Sequence, residues 1–178
     1  MRKLLKILLI VLAILVAAVI IYVGYVMLSY NRIPDNQSLE PRNPQQAGLA
    51  AGVGVEYAIA TQNIGFGAYT DDYTFFMDGG TQSWAESPES VVACVSAAAG
   101  EVSSLQPDFI LFQEVDFDST RSYHINEQEI LRGAFSEMAE VNAVNYHSAF
   151  LMYPLTQPHG TSNSSMVTFS RFGITGAV

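Results

Sequence analysis

From Ile7 to Leu28 the chain runs 22 residues without a charge. At 1.5 Å rise per residue that is about 33 Å of helix, enough to cross a hydrocarbon core of roughly 30 Å. No fold in water can place such a run on its surface, so the first thirty residues and the remainder have to be read apart. The rival reading is a cleaved secretory signal, whose apolar region is usually about 7 to 15 residues and ends in a small-x-small site. Here the run is longer, and Tyr22, Tyr25 and Tyr30 stand near its outer end, where aromatic rings favour the membrane interface. Residues 1–30 therefore read as an uncleaved transmembrane signal anchor. Arg2, Lys3 and Lys6 precede the run, and the bias of basic residues toward the cytoplasm predicts a cytoplasmic amino terminus. The expected location is the cell membrane, single-pass, with everything after the anchor extracytoplasmic.

Beyond residue 30 there are five arginines, no lysine and all 17 acids, a net charge of −12. Broad non-specific nucleic-acid binding rests on Lys and Arg displacing counterions, so this segment alone is unsuited to it. A phosphate-bearing ligand would need a metal ion as go-between. The single cysteine, Cys94, excludes an intramolecular disulfide and a multi-cysteine zinc site, and no disulfide partner is expected.

Residues 31–54 hold three prolines, several amides and glycines, with no apolar period at 2 or 3.6 residues, and read as a linker. Residues 55–178 remain as the folded part. Val55, Tyr57 and Ile59 alternate with Glu56, Ala58 and Ala60 up to Thr61-Gln62-Asn63, a first strand closed by polar groups and followed by the turn Ile64-Gly65-Phe66-Gly67. Ser87-Pro88-Glu89 supplies an N-cap, a first-turn proline and an early acid. Val91, Val92, Val95, Ala98, Val102 and Leu105 then predict a helix over about 88–105. Phe109 to Phe112 is an apolar run of the kind found in a strand covered on both faces. Asn126 caps a second expected helix carrying Ile130, Leu131, Ala134, Phe135 and Met138, and Val144 to Met152 and Met166 to Phe169 read as further strands. Strand, helix, strand in this order predicts an α/β class.

The second strand delivers Glu114 at its carboxyl end, where ligand sites of α/β sheets tend to lie, and Asn63 holds the equivalent place on the first. If the strands are neighbours, the two form a pocket with one anionic oxygen and one amide. Such oxygen donors suit Mg2+ or Mn2+, which keep several waters for phosphate oxygens to replace. The plainer alternative is an exposed strand-end acid and an asparagine that caps a turn.

Thr61-Gln62-Asn63-Ile64 closing one strand, and Asp108-Phe109-Ile110-Leu111-Phe112-Gln113-Glu114-Val115 closing the next, resemble the endonuclease/exonuclease/phosphatase superfamily. These are metal-dependent phosphoesterases that include DNase I-like nucleases, neutral sphingomyelinases and inositol polyphosphate 5-phosphatases. Gly160 to Ile174, GTSNSSMVTFSRFGI, is similar to a later strand of that family. The resemblance implies the amino-terminal half of a DNase I-like α/β sandwich, with Glu114 as metal-binding glutamate and Asn63 beside the metal and the scissile phosphate, both catalytic. It implies in-line attack of water on phosphorus, supported by Mg2+ or Mn2+. The family's Gly-Asp-x-Asn and terminal Ser-Asp-His motifs are absent from these residues, and a complete domain of this type is about twice as long as 55–178. The expectation is thus a partial domain whose reading frame continues, inactive by itself.

Other polar residues are candidates for substrate contact. Arg121, Tyr123 and His124 fall in a polar loop after Glu114, His159 lies between Pro158 and Gly160, and Asn163 falls where the resemblance places phosphate-contacting residues. His147 reads as a structural histidine, Asp116 and Asp118 as solvated acids, and Cys94 as a buried inert thiol on the helix stripe. Two functions follow. One is a membrane-anchored phosphoester hydrolase, phosphodiesterase or nuclease-like, acting on a phospholipid headgroup, nucleic acid or small phosphodiester. The other is a non-catalytic membrane-anchored binding or scaffold domain, or an inactive truncated fragment.

Overall fold

The computed structural model describes residues 2–44 and 50–178, and they divide into two compact units, one ending at Asn31 and one starting at Arg32. The first is a single helix, α1 (Arg2–Ser29), 28 residues with none buried. It is long and apolar enough to cross a membrane.

The second unit is mixed α/β, with a four-stranded sheet in the order β1-β2-β4-β3. The strands are β1 (Ile59–Asn63), β2 (Phe109–Asp116), β3 (Ala139–His147) and β4 (Asn163–Ser170), with helices α2 (Pro88–Ser104) and α3 (Glu127–Ala134). β1 runs parallel to β2 and is joined to it through α2, whereas β4 is antiparallel to both β2 and β3. The central strand β2 therefore has one parallel and one antiparallel neighbour.

Ser87 caps α2 by accepting from the Ser90 amide, and the Ser90 hydroxyl accepts from the Ser87 amide in return. Two orphan donors of the first turn are satisfied this way. Val91, Val95, Ala99 and Val102 of α2 then bury against Ile110, Phe112 and Val115 of β2 and Val167 and Phe169 of β4, each valine contributing about 1.5–3 kcal/mol of apolar burial. Leu131 and Phe135 close the same core from α3 and its exit. The opposite sheet face carries Ile59, Leu111 and Met166, all exposed.

β2 departs from strict alternation at one point that matters for function. Phe112 pairs with Val167 but Val115 with Ser165, so β2 holds one residue more than β4 across this step. Regular alternation would put Glu114 on the core face with Ile110 and Phe112. With the bulge, Val115 takes that place and is fully buried, while Glu114 adopts φ +54 and stays partly exposed. A bulge next to a strained polar residue is a common way of re-aiming a side chain.

The turn after β1 is equally constrained. Gly65, Phe66 and Gly67 all have positive φ. A Cβ on Gly67 would stand 3.1 Å from the Val91 Cα and carbonyl oxygen, and one on Gly65 would strike the Tyr69 ring at 2.3 Å. Only glycine lets this turn lie against the first turn of α2.

Three sequence expectations shift. Val55 and Tyr57 precede β1 rather than opening it. β3 occupies 139–147, starting and ending five residues before the expected 144–152. Part of the segment read as linker belongs to the second unit: Leu39 bridges Ala177, and Arg42 exchanges two backbone hydrogen bonds with Glu140 on the outer edge of β3. Asn43 also bonds both ways with the Ile174 backbone. Residues 45–49 of that segment lie outside the described residues.

Candidate functional site

Asn63 and Glu114, expected to share one pocket, do so. The Asn63 Nδ2 donates to Glu114 Oε1 at 2.9 Å, and Asn63 Oδ1 accepts from the Gly65 amide at 2.8 Å. The opposite amide orientation would set oxygen against carboxylate and NH2 against an N–H, so the two bonds fix which way Asn63 faces. Parallel pairing produces the meeting: Asn63 lies opposite Gln113, one residue before the bulged Glu114. Across the diagonal, Gln113 Nε2 donates to Thr61 Oγ1 at 3.1 Å, a second amide link on the same side of the strands.

Two cavities flank this pair, and Glu114 and Tyr69 line both. One, of about 570 Å3, includes Asn63, Cys94 and Glu101. The other, of about 390 Å3, includes Asp78, Arg121, His159 and Ser164. Tyr69 donates to Asp78 Oδ2 at 3.4 Å, and its hydroxyl pKa is raised by burial and by the Asp78 and Glu114 charges. Cys94 is half-buried and faces a cavity instead of the core, which corrects the expected buried thiol. Burial and the Glu86 charge raise its pKa.

Close to Glu114 lies a charge cluster, where the sequence pattern predicts solvated acids. Asp116 is fully buried and accepts from Arg121 Nε at 2.8 Å and Nη2 at 2.9 Å, with the Ser122 hydroxyl at 3.1 Å. The Arg121 guanidinium carbon sits 3.9 Å from the centre of the Phe66 ring. Burial works against the Arg121 charge, but its bonds and attraction to Asp116 more than offset this and raise its pKa. Glu127, also fully buried, accepts from the Asp116 amide at 2.9 Å. Burial, followed by repulsion from Asp116, pushes its carboxyl well above the ordinary range.

The remaining expected substrate residues scatter. Arg121 lines the smaller cavity but is buried, and so is not the loop residue anticipated. Tyr123 donates to the Ala85 and Glu86 carbonyls and packs edge-on to Trp84, and it lines neither cavity beside Glu114. His124 is exposed and pairs with Asp118 at 2.6 Å. Asn163 binds the Asp118 carbonyl and the ring of His147, which is itself exposed. His159 does reach the smaller cavity: it is buried against Phe75 and Phe76, with Nε2 3.1 Å from Ser162 Oγ. Burial and the Arg121 charge lower its pKa, against smaller opposing effects of the Ser83 backbone and Asp116.

Tyr69, Asn145 and Ser164 were not singled out by sequence. Tyr69 had a signal, because it follows Gly65 at the spacing that lets its ring cover a residue without a Cβ. Asn145 reaches the cavity at a second register shift, between β3 and β4, which nothing local announces.

The donor set offers the implied Mg2+ one carboxylate, that of Glu114. Among the described residues no three His, Cys, Asp or Glu side chains converge as a metal cage. Asn63 Oδ1 accepts one bond, from the Gly65 amide, and its Nδ2 holds one oxygen of Glu114, so Asn63 positions that carboxylate. Glu114 Oε2 makes no hydrogen bond among the described residues. One carboxylate with water completing the shell fits Mg2+, which is bound through one or two carboxylates and substrate phosphates. No family model matches the chain, and it has no significant match among curated proteins or solved structures.

Proposed function

We propose that this chain carries the metal-binding half of a membrane-anchored, extracytoplasmic phosphoester hydrolase of the endonuclease/exonuclease/phosphatase kind, built as part of a DNase I-like sandwich. The observation that carries this reading is the Asn63–Glu114 hydrogen bond between adjacent strand tips. The exposed apolar face of the sheet suits a sandwich, in which a second sheet would cover it. Glu114 would hold Mg2+ through Oε2. Bound there, the ion supplies charge stabilisation on the phosphate oxygens and the leaving oxygen. Asn63 fixes the rotamer of that carboxylate, and the bulge in β2 keeps it out of the core.

The test is Mg2+-dependent hydrolysis of a chromogenic phosphodiester by the full protein in detergent. Glu114→Gln should lower kcat/KM by about 10^2-fold or more and Asn63→Ala by about 10–100-fold, with unfolding midpoints little changed. Full turnover in Glu114→Gln removes the site assignment. A second reading, a non-catalytic binding domain, draws support from the absence of Asp-x-Asn and Asp-His motifs in these 178 residues. It expects Mg2+ binding without turnover.

A further inference from the structure

The 390 Å3 cavity beside Glu114 contains a polar group that the fold leaves without a partner. Ser164, at the start of β4, is 4 % exposed, and its hydroxyl makes no hydrogen bond. A buried hydroxyl in that state has lost its water and received nothing in exchange. In the same wall, the Arg121 guanidinium commits Nε and Nη2 to Asp116, while Nη1 has no hydrogen-bond partner among the described residues. Anchored on one edge and laid over Phe66, it is held rigid with donors to spare, the arrangement in which arginine recognises tetrahedral oxyanions. His159 completes the polar wall, while Tyr69 and Phe75 give the cavity an apolar side.

We propose that this cavity is the phosphoryl subsite, in which Ser164 and Arg121 hold the non-bridging oxygens of a phosphate ester and the aromatic side takes its organic group. The assignment rests on the reading of Glu114 as the metal carboxylate. Glu114 and Asp78 line the same space, so a bare anion meets two carboxylates. Occupancy accordingly depends on a divalent cation, and the two ligands bind with positive coupling.

Inorganic phosphate is the probe, titrated calorimetrically into the full protein in detergent with and without Mg2+, while Mn2+ binding is followed separately by electron paramagnetic resonance. The expected result is phosphate binding that requires Mg2+ and weakens about 10-fold in Ser164→Ala. Ser164→Thr, which keeps the hydroxyl, should stay within about threefold of wild type. The melting temperature of Ser164→Ala should equal or exceed that of wild type, because the hydroxyl removed has no partner in the fold. Unchanged phosphate affinity in Ser164→Ala overturns the subsite, as does phosphate binding indifferent to Mg2+ or absent from wild type. Mn2+ binding abolished by Glu114→Gln in those cases shows that the metal reading survives, and Mn2+ binding unaffected by it sinks both.

Discussion

Two acids on β2, Glu114 and Asp116, stand two residues apart and live in opposite worlds. Asp116 is sealed in the protein, matched by a bidentate arginine and a serine hydroxyl. Glu114 is partly exposed, matched by one neutral amide on one oxygen. The first arrangement uses its charge up inside the fold, and the second leaves charge over. The contrast separates an acid that holds the loop 116–127 in place from one available to a ligand.

Several changes would break or sharpen this contrast. Asp116→Ala, which strands the buried Arg121, should cost about 3–5 kcal/mol, read as a lower urea midpoint; a loss under about 1 kcal/mol would mean the pair is not structural. Glu127→Gln should act the other way. The folded-state pKa of Glu127 lies above its unfolded value of about 4.3, so the native state holds the extra proton. Stability from this group is full below about pH 4 and is lost as pH rises through the folded pKa. The variant should therefore match wild type near pH 4 and exceed it by a margin that widens as pH rises toward neutrality, measured as paired denaturation curves across pH. A gap that closes with rising pH would reverse the assignment. The smallest effect belongs to Glu114→Gly, which relieves the φ of +54 and should raise stability by about 1 kcal/mol while removing Mg2+-dependent activity. A loss of stability would show that the carboxylate also supports the fold.

What could be read from the residues follows the range over which each feature is decided. α2 was legible to within a residue, because Ser87, Pro88 and the valine stripe are local. That Asn63 and Glu114 would meet was legible because both lie toward the carboxyl ends of neighbouring parallel strands, Asn63 closing β1 and Glu114 two residues before the end of β2. The start of β3 was not. Glu140 looks like a surface acid, yet it is buried and bound by Arg132, Gln128 and Arg42, the last of these 98 positions away. Burial opposes its charge, but those bonds hold its pKa below the ordinary value. The burial of Asp116 is hidden for a similar reason: its partner Arg121 sits on a turn five residues on, and sequence alone does not reveal that the turn folds back. Nor did any residue between Phe112 and Val115 announce the bulge.

That extra residue makes the count of amino acids in β2 a determinant of chemistry, apart from their kinds. Deleting Gln113 would restore the ordinary zigzag: Val115 would keep its core place, and Glu114 would lose its φ of +54 and take the outward position opposite Asn63 that Gln113 now holds. A chain one residue shorter in this segment would thus spell the same acid and aim it differently, so the spacing between Phe112 and Val115 is as much a signature of the site as Glu114 itself.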